Sequence, residues 1–192
     1  MPESKTNIDI CAFFGSPKND GYSSKMHNAF LSRAYNKVIR RFYIYEMKIN
    51  PCRGCQFCKD NDFCYQKDDM GEIYESVRNS RLLTFSFPLY FSSIPGPMKT
   101  VIDRFQLLWE ESNHGIYPLK NQTAISFISA GSNYTEMFYP SEKILAHIMN
   151  SIEGKYWRSK SFFCNDLDNN GGEEKFKGIL SLINDCLIDN YL

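Results

Sequence analysis

Cys52, Cys55, Cys58 and Cys64 place four thiols within thirteen residues. Thiolates are soft ligands, and in a reducing compartment such a cluster suits metal or redox chemistry better than a disulfide framework. A second group of candidates is Gly15-Ser16-Pro17 followed by Gly21-Tyr22-Ser23-Ser24. Glycines let backbone amides approach an anion, serines add donors, and a helix opening there adds partial positive charge. Ser16, Tyr22, Ser23 and Ser24 are therefore candidates for holding a phosphate monoester, with Lys18 and Lys25 as supplementary charges. Five residues separate the two glycines and Tyr22 follows them, so the loop is neither a Walker A motif nor Gly-x-Gly-x-x-Gly. An ordinary strand-to-helix turn with capping serines is the alternative.

A third group, Pro88-Leu89-Tyr90-Phe91 and the run to Pro97, sets two aromatics beside prolines and a glycine. Such a stiff apolar shelf suits a flat conjugated ring, or equally a core cover or a dimer contact. Ser129, Ala130 and Gly131 can close the opposite side. His27, His114 and His147 read as surface or packing residues, and Trp109 as a core or partner contact.

These groups need elements to position them. Ile8 opens an apolar run that ends at Gly15, giving a first strand over 8–14, and a helix capped by Ser23 or Ser24 follows to about residue 36. Residues 38–45 read as a second strand. Asp68 or Asp69 caps a helix over 70–79, and 81–87 is a hydrophobic strand of the kind covered on both faces. One continuous helix is expected over 95–111, a fourth strand over 123–129, and a helix over 137–152 that becomes regular near Pro140. A fifth strand over 157–165 and a closing helix over 173–190 complete the order. Five strands interleaved with five helices predict an α/β fold: a doubly wound five-stranded parallel sheet with helices on both faces. Ligands of such sheets bind beyond the carboxyl ends of the strands, where the three candidate loops fall.

The chain has 192 residues, with 22 Lys and Arg balancing 22 Asp and Glu, so no overall field recruits nucleic acid. No apolar run reaches the roughly 20 residues that span a bilayer. Residues 1–5 lack the apolar centre of a signal peptide, which predicts a cytoplasmic protein. Cys11, Cys164 and Cys186 lie among apolar neighbours and read as buried thiols. The length suits one domain over 1–192, with a cysteine-rich loop at 51–67.

Gly15-Ser16-Pro17 with Gly21, Pro88-Leu89-Tyr90-Phe91, Ile94-Pro95-Gly96-Pro97-Met98-Lys99 and Asp103-Arg104 together resemble the NAD(P)H-dependent FMN reductases. Cys-x-x-Cys-x-x-Cys-x5-Cys followed by Asp68-Asp69-Met70 resembles the branch that includes the iron–sulfur flavoproteins. The resemblance implies a flavodoxin-like fold, non-covalent FMN, NAD(P)H as cosubstrate, and a homodimer or homotetramer whose partner chain helps wall the flavin. By position, Ser16, Tyr22, Ser23 and Ser24 would hold the phosphate. Pro88, Leu89, Tyr90 and Phe91 would line the isoalloxazine, with Ser129, Ala130 and Gly131 on its other flank. Cys52, Cys55, Cys58 and Cys64 would hold a 4Fe–4S cluster, zinc, or nothing, with Arg53 and Lys59 offsetting charge. No catalytic acid or base is expected, because the flavin carries the chemistry. The implied acceptor is a quinone, a flavin or a nitroaromatic; the alternative is a carrier passing electrons between redox proteins.

Overall fold

A computed structural model describes residues 8–118 and 120–192. Residues 1–5, read above as lacking a signal-peptide centre, lie outside them. Six parallel strands occupy five positions: β1 (Ile8–Phe14), β2 (Ile39–Tyr43), β3 (Ser80–Pro88), β4 (Thr123–Ser129), β5 (Lys155–Tyr156) and β6 (Phe162–Cys164). The sheet order is β2-β1-β3-β4-β5, with β6 also pairing to β4, so β5 and β6 share the outermost position. This is the predicted flavodoxin-like winding. Strand order reverses between β1 and β3, which opens a crevice at their carboxyl ends.

Alternation along β1 sorts the core into two layers. Ile10, Ala12 and Phe14 face α1 (Tyr22–Ser32) and α6 (Gly172–Asn184). Cys11 and Phe13 face α2 (Met70–Arg78), α3 (Gly96–Arg104), α4 (Gln106–Asn113) and α5 (Tyr139–Ser151). Burial on both faces is why the central strands read as unbroken hydrophobic runs. Phe13 stacks on Phe85 at 5.0 Å, joining β1 to β3 beneath the crevice.

Several predicted boundaries are corrected. The helix expected over 95–111 breaks at Phe105, whose ring drops into the core edge-on to Phe13 and separates α3 from α4. The strand expected over 157–165 is interrupted by a 3-10 turn at Arg158–Lys160. Helix α6 ends at Asn184 rather than 190, and α1 ends at Ser32 rather than near 36. Neither Ser23 nor Ser24 caps α1: Gly21 is the N-cap and both serines lie inside the first turn. Cys11 and Cys164 are buried as expected, whereas Cys186 is only half-buried and donates to the Leu182 carbonyl. Among the described residues no helix is long and apolar enough to cross a membrane.

Candidate functional site

Register brings the loops together. Phe14 pairs with Ser86, and Pro88 with Ser129, so β1, β3 and β4 end at one rim. The Gly15 amide donates to Ser86 at 2.7 Å and the Leu89 amide to Ser129 at 2.8 Å, fixing where each loop departs. Beyond this rim lies a cavity of about 410 Å³. Its walls include Ser16, Tyr22 and Ser23 from the first loop, Pro88, Leu89 and Tyr90 from the third, and Ser129, Ala130 and Gly131 from the fourth.

At one end of this cavity α1 begins. The first helical bond is Lys25 to the Gly21 carbonyl at 2.9 Å, so the amides of Tyr22, Ser23 and Ser24 precede the intrahelical ladder. No side chain caps them. The Ser16 hydroxyl accepts from the Lys18 amide at 3.1 Å, and the Ser24 hydroxyl donates to the Lys18 carbonyl at 3.1 Å, which folds the loop over the helix end. Uncapped amides at a positive helix terminus are the donor set a phosphate takes. The residues therefore fit the phosphate of FMN.

Not every predicted residue reaches the cavity. Ser24 is spent on the loop and Lys25 lies over the Tyr22 ring, so neither lines it. Tyr22 turns its ring edge-on to Phe176 at 4.8 Å, leaving its backbone amide as the donor on offer. Phe91 is fully exposed and does not line the cavity. It and Ser92 hold φ of 50° and 58° at the tip of a tight turn, closed by Tyr90 and Ser93, that throws the ring outward. Lys18, expected as a supplementary charge, does line the cavity, and Pro17, Leu167 and Asp168 join it unpredicted. Asp168 had no signal in sequence, since it arrives from the loop after β6. Its carboxylate packs on Gly131, where an added Cβ would lie 1.9 Å from Oδ2, so this close approach needs glycine.

His27 holds the scaffold beneath. It is wholly buried, with Nδ1 at 2.8 Å from Ser86 Oγ and Nε2 at 2.7 Å from Thr84 Oγ1. Its ring stacks between Phe14 and Phe127, at 4.3 and 4.8 Å. Burial, assisted by the Arg41 charge, pushes its pKa down to about 3, so the imidazole is neutral and ties α1 to all three central strands. His114 and His147 are exposed. Trp109 is 39% exposed, lining a shallow cleft with Ile102 and Ile148 rather than the core or the strand-end cavity.

The cysteines gather at a second cavity. Cys52, Cys55, Cys58 and Cys64 line one cavity of about 270 Å³ together with Arg53, Tyr74 and Arg104, whereas Lys59 does not. Gly54, at φ 61°, reverses the chain between Cys52 and Cys55. Cys52 and Cys55 are exposed and Cys58 and Cys64 half-buried; burial pushes the Cys58 thiol up. Among the described residues no three His, Cys, Asp or Glu side chains converge on one ion position. A zinc site needs four sulfurs about 2.3 Å from a single point, while a cubane keeps its thiolates apart around an iron–sulfide core. The four thiols share one concavity without meeting at a single point.

The profile of the NADPH-dependent FMN reductases matches residues 8–157. The chain belongs to this family. Among curated relatives of this FMN reductase family member, an iron–sulfur flavoprotein of Methanosarcina thermophila is 30% identical over 127 residues, covering 65% of this chain and 64% of that one. Another, from Archaeoglobus fulgidus, is 37% identical over 92 residues, or 47% of this chain and 42% of that one. The matched regions thus span less than two thirds of these relatives. An NAD(P)H:quinone oxidoreductase from Methanothermobacter marburgensis superposes with a TM-score of 0.72 at 14% identity, over 93% of both chains. An FMN-dependent NADH-azoreductase from Bacillus anthracis, solved with FMN, gives 0.70 at 14%, over 96% of this chain and all of that one. These two establish the shared fold.

Proposed function

We propose that residues 1–192 form one FMN-binding domain of a cytoplasmic oxidoreductase that uses NAD(P)H to reduce a quinone, flavin or nitroaromatic acceptor. The observation that carries this reading is the single cavity joining the uncapped start of α1 to the Pro88-Leu89-Tyr90 shelf. The Tyr22 and Ser23 amides and the Ser16 hydroxyl bind the phosphate. Pro88, Leu89 and Tyr90 orient the isoalloxazine ring and exclude water from one side, and Ser129, Ala130 and Gly131 close its other flank. Asp168, beside Gly131, fixes that flank. FMN supplies hydride acceptance from NAD(P)H and release of two electrons to the acceptor. In balance, NAD(P)H and a proton are consumed, NAD(P)+ leaves, and the acceptor gains two electrons and two protons. The assembly is a homodimer or homotetramer, with Trp109 at a partner contact.

A second reading is favoured by the cysteine cavity: Cys52, Cys55, Cys58 and Cys64 hold a 4Fe–4S cluster that supplies single-electron exchange with a redox protein. The relatives named iron–sulfur flavoprotein support it. The test is anaerobic purification, counting of flavin and iron, and addition of NADH or NADPH. Rapid bleaching of the flavin band supports the reductase, and slow bleaching with fast reduction by a ferredoxin supports the carrier. A chain that takes up no FMN on reconstitution sinks both.

A further inference from the structure

The residue at the base of the cysteine cavity that neither reading uses is Arg104. Its side chain is 1% exposed, and that of its partner Asp68 is 4% exposed. Nη1 donates to Asp68 Oδ2 at 2.7 Å and to the Asn50 carbonyl at 2.8 Å. Nη2 donates to Asp68 Oδ1 at 3.2 Å and approaches Cys64 Sγ at 3.5 Å. Nε is buried with no partner among the described residues. Asp68 in turn accepts from the amides of Asn50 at 2.9 Å and Met70 at 3.2 Å. Residue 50 precedes the first cysteine and residue 68 follows the last. One guanidinium at the end of α3 thus clips both ends of the cysteine loop and leans on one of its thiols.

Stability alone gives a weak reason for this arrangement. Taking a guanidinium and a carboxylate out of water is costly, and an apolar pair of similar volume often stabilises as well. A cation kept here despite that cost suits a cavity meant for negative charge. Four thiolates around an iron–sulfide core carry net negative charge, and N–H donors to such sulfurs stabilise the reduced, more negative state. Asp68, bonded to both Nη atoms, neutralises part of the guanidinium.

We infer that Arg104 is a positioning residue for the cysteine site: it holds Cys64 in place by clipping Asn50 to Asp68, and its N–H raises the reduction potential of the group bound there. This rests on the reading that the four cysteines hold a 4Fe–4S cluster. The test compares the wild-type chain with Arg104→Met, Arg104→Lys and Asp68→Asn, each holding FMN and reconstituted anaerobically with iron and sulfide. Two quantities are measured: the rate of iron loss to a chelator, and the cluster midpoint potential by redox titration followed by electron paramagnetic resonance. Arg104→Met is expected to lose iron roughly 10-fold faster, the scale of outer ligand partners, and to titrate at a lower potential. Arg104→Lys keeps the charge and recovers part of the retention. Asp68→Asn, by unmasking the guanidinium, moves the potential in the opposite direction. If Arg104→Met does not fold, Arg104→Lys carries both readouts through its lost fork. Retention and potential equal to wild type in the arginine variants overturn the assignment while the wild type still holds iron. A wild-type chain that binds FMN and takes up no iron overturns the cluster reading and this one with it.

Discussion

The strand-end cavity and the cysteine cavity are held in shape by different means. The first is walled by segments leaving β1, β3 and β4 at register-fixed points, over a buried aromatic stack centred on His27. The amides it offers lie at the start of α1, which packs on the sheet whatever is bound. The second sets a loop whose regular structure is one 3-10 turn, Phe57–Lys59, with Cys52 and Cys55 exposed, against residues of α2, α3 and α4. It is fastened at its ends by Arg104 and Asp68. A cavity built on a sheet can stay shaped while empty; a loop with two exposed and two half-buried thiols draws more of its order from its fastening. The two sites should therefore fail independently.

The largest expected effect tests that independence. Cys64→Ser should abolish iron retention while leaving FMN affinity within about twofold, since Cys64 lies outside the strand-end cavity. Iron analysis beside a fluorescence titration with FMN checks it, and loss of both together breaks the comparison. Next, Ser23→Pro deletes one amide in the first turn, where proline is tolerated. A hydrogen bond to a charged group contributes about 2 kcal/mol, so FMN should bind roughly 30-fold more weakly with iron retention unchanged.

A third prediction concerns the scaffold. His27 has a folded pKa near 3, far below the 6.5 of the free side chain. Below 6.5 the unfolded chain takes up a proton that the folded chain refuses, so stability present at neutral pH is lost as pH falls from about 6.5 toward 3. The slope approaches about 1.4 kcal/mol per pH unit. His27→Gln should flatten that window in urea titrations, and an unchanged slope would place the acid sensitivity elsewhere. The smallest effect sharpens the edge of the flavin cavity. Phe91→Ala should change FMN affinity by less than about twofold, because an exposed side chain outside the cavity contributes under about 0.5 kcal/mol. A larger loss would show that ring engaged by a second copy or a substrate.

The central strands and the three loops at their ends were legible because burial on both faces leaves unbroken apolar runs that stop at glycine, proline or serine. The break at Phe105 was not, since Phe105 fits the helical periodicity on both sides. The interrupted outer strand was hidden because Trp157 and Phe162–Cys164 look like one apolar run with a polar middle. Phe91 shares its motif with Tyr90, and only a left-handed turn separates their directions. Asp68 was read as a cap, and one of its oxygens does accept from the Met70 amide; its other role depends on Arg104, thirty-six residues away in sequence. The four closely spaced cysteines do share one cavity, while the fastening of their loop by Arg104 carried no local mark.

The split between β5 and β6 bears on how copies of this chain can meet. An uninterrupted outer strand offers a ladder of free amides and carbonyls to any other strand. Here that ladder runs for two residues, turns away at Arg158–Lys160, and resumes for three. The opposite margin is short and carries Arg40 and Arg41. Neither margin is a template for adding strands, so the protein is guarded against growing into continuous cross-molecule sheets.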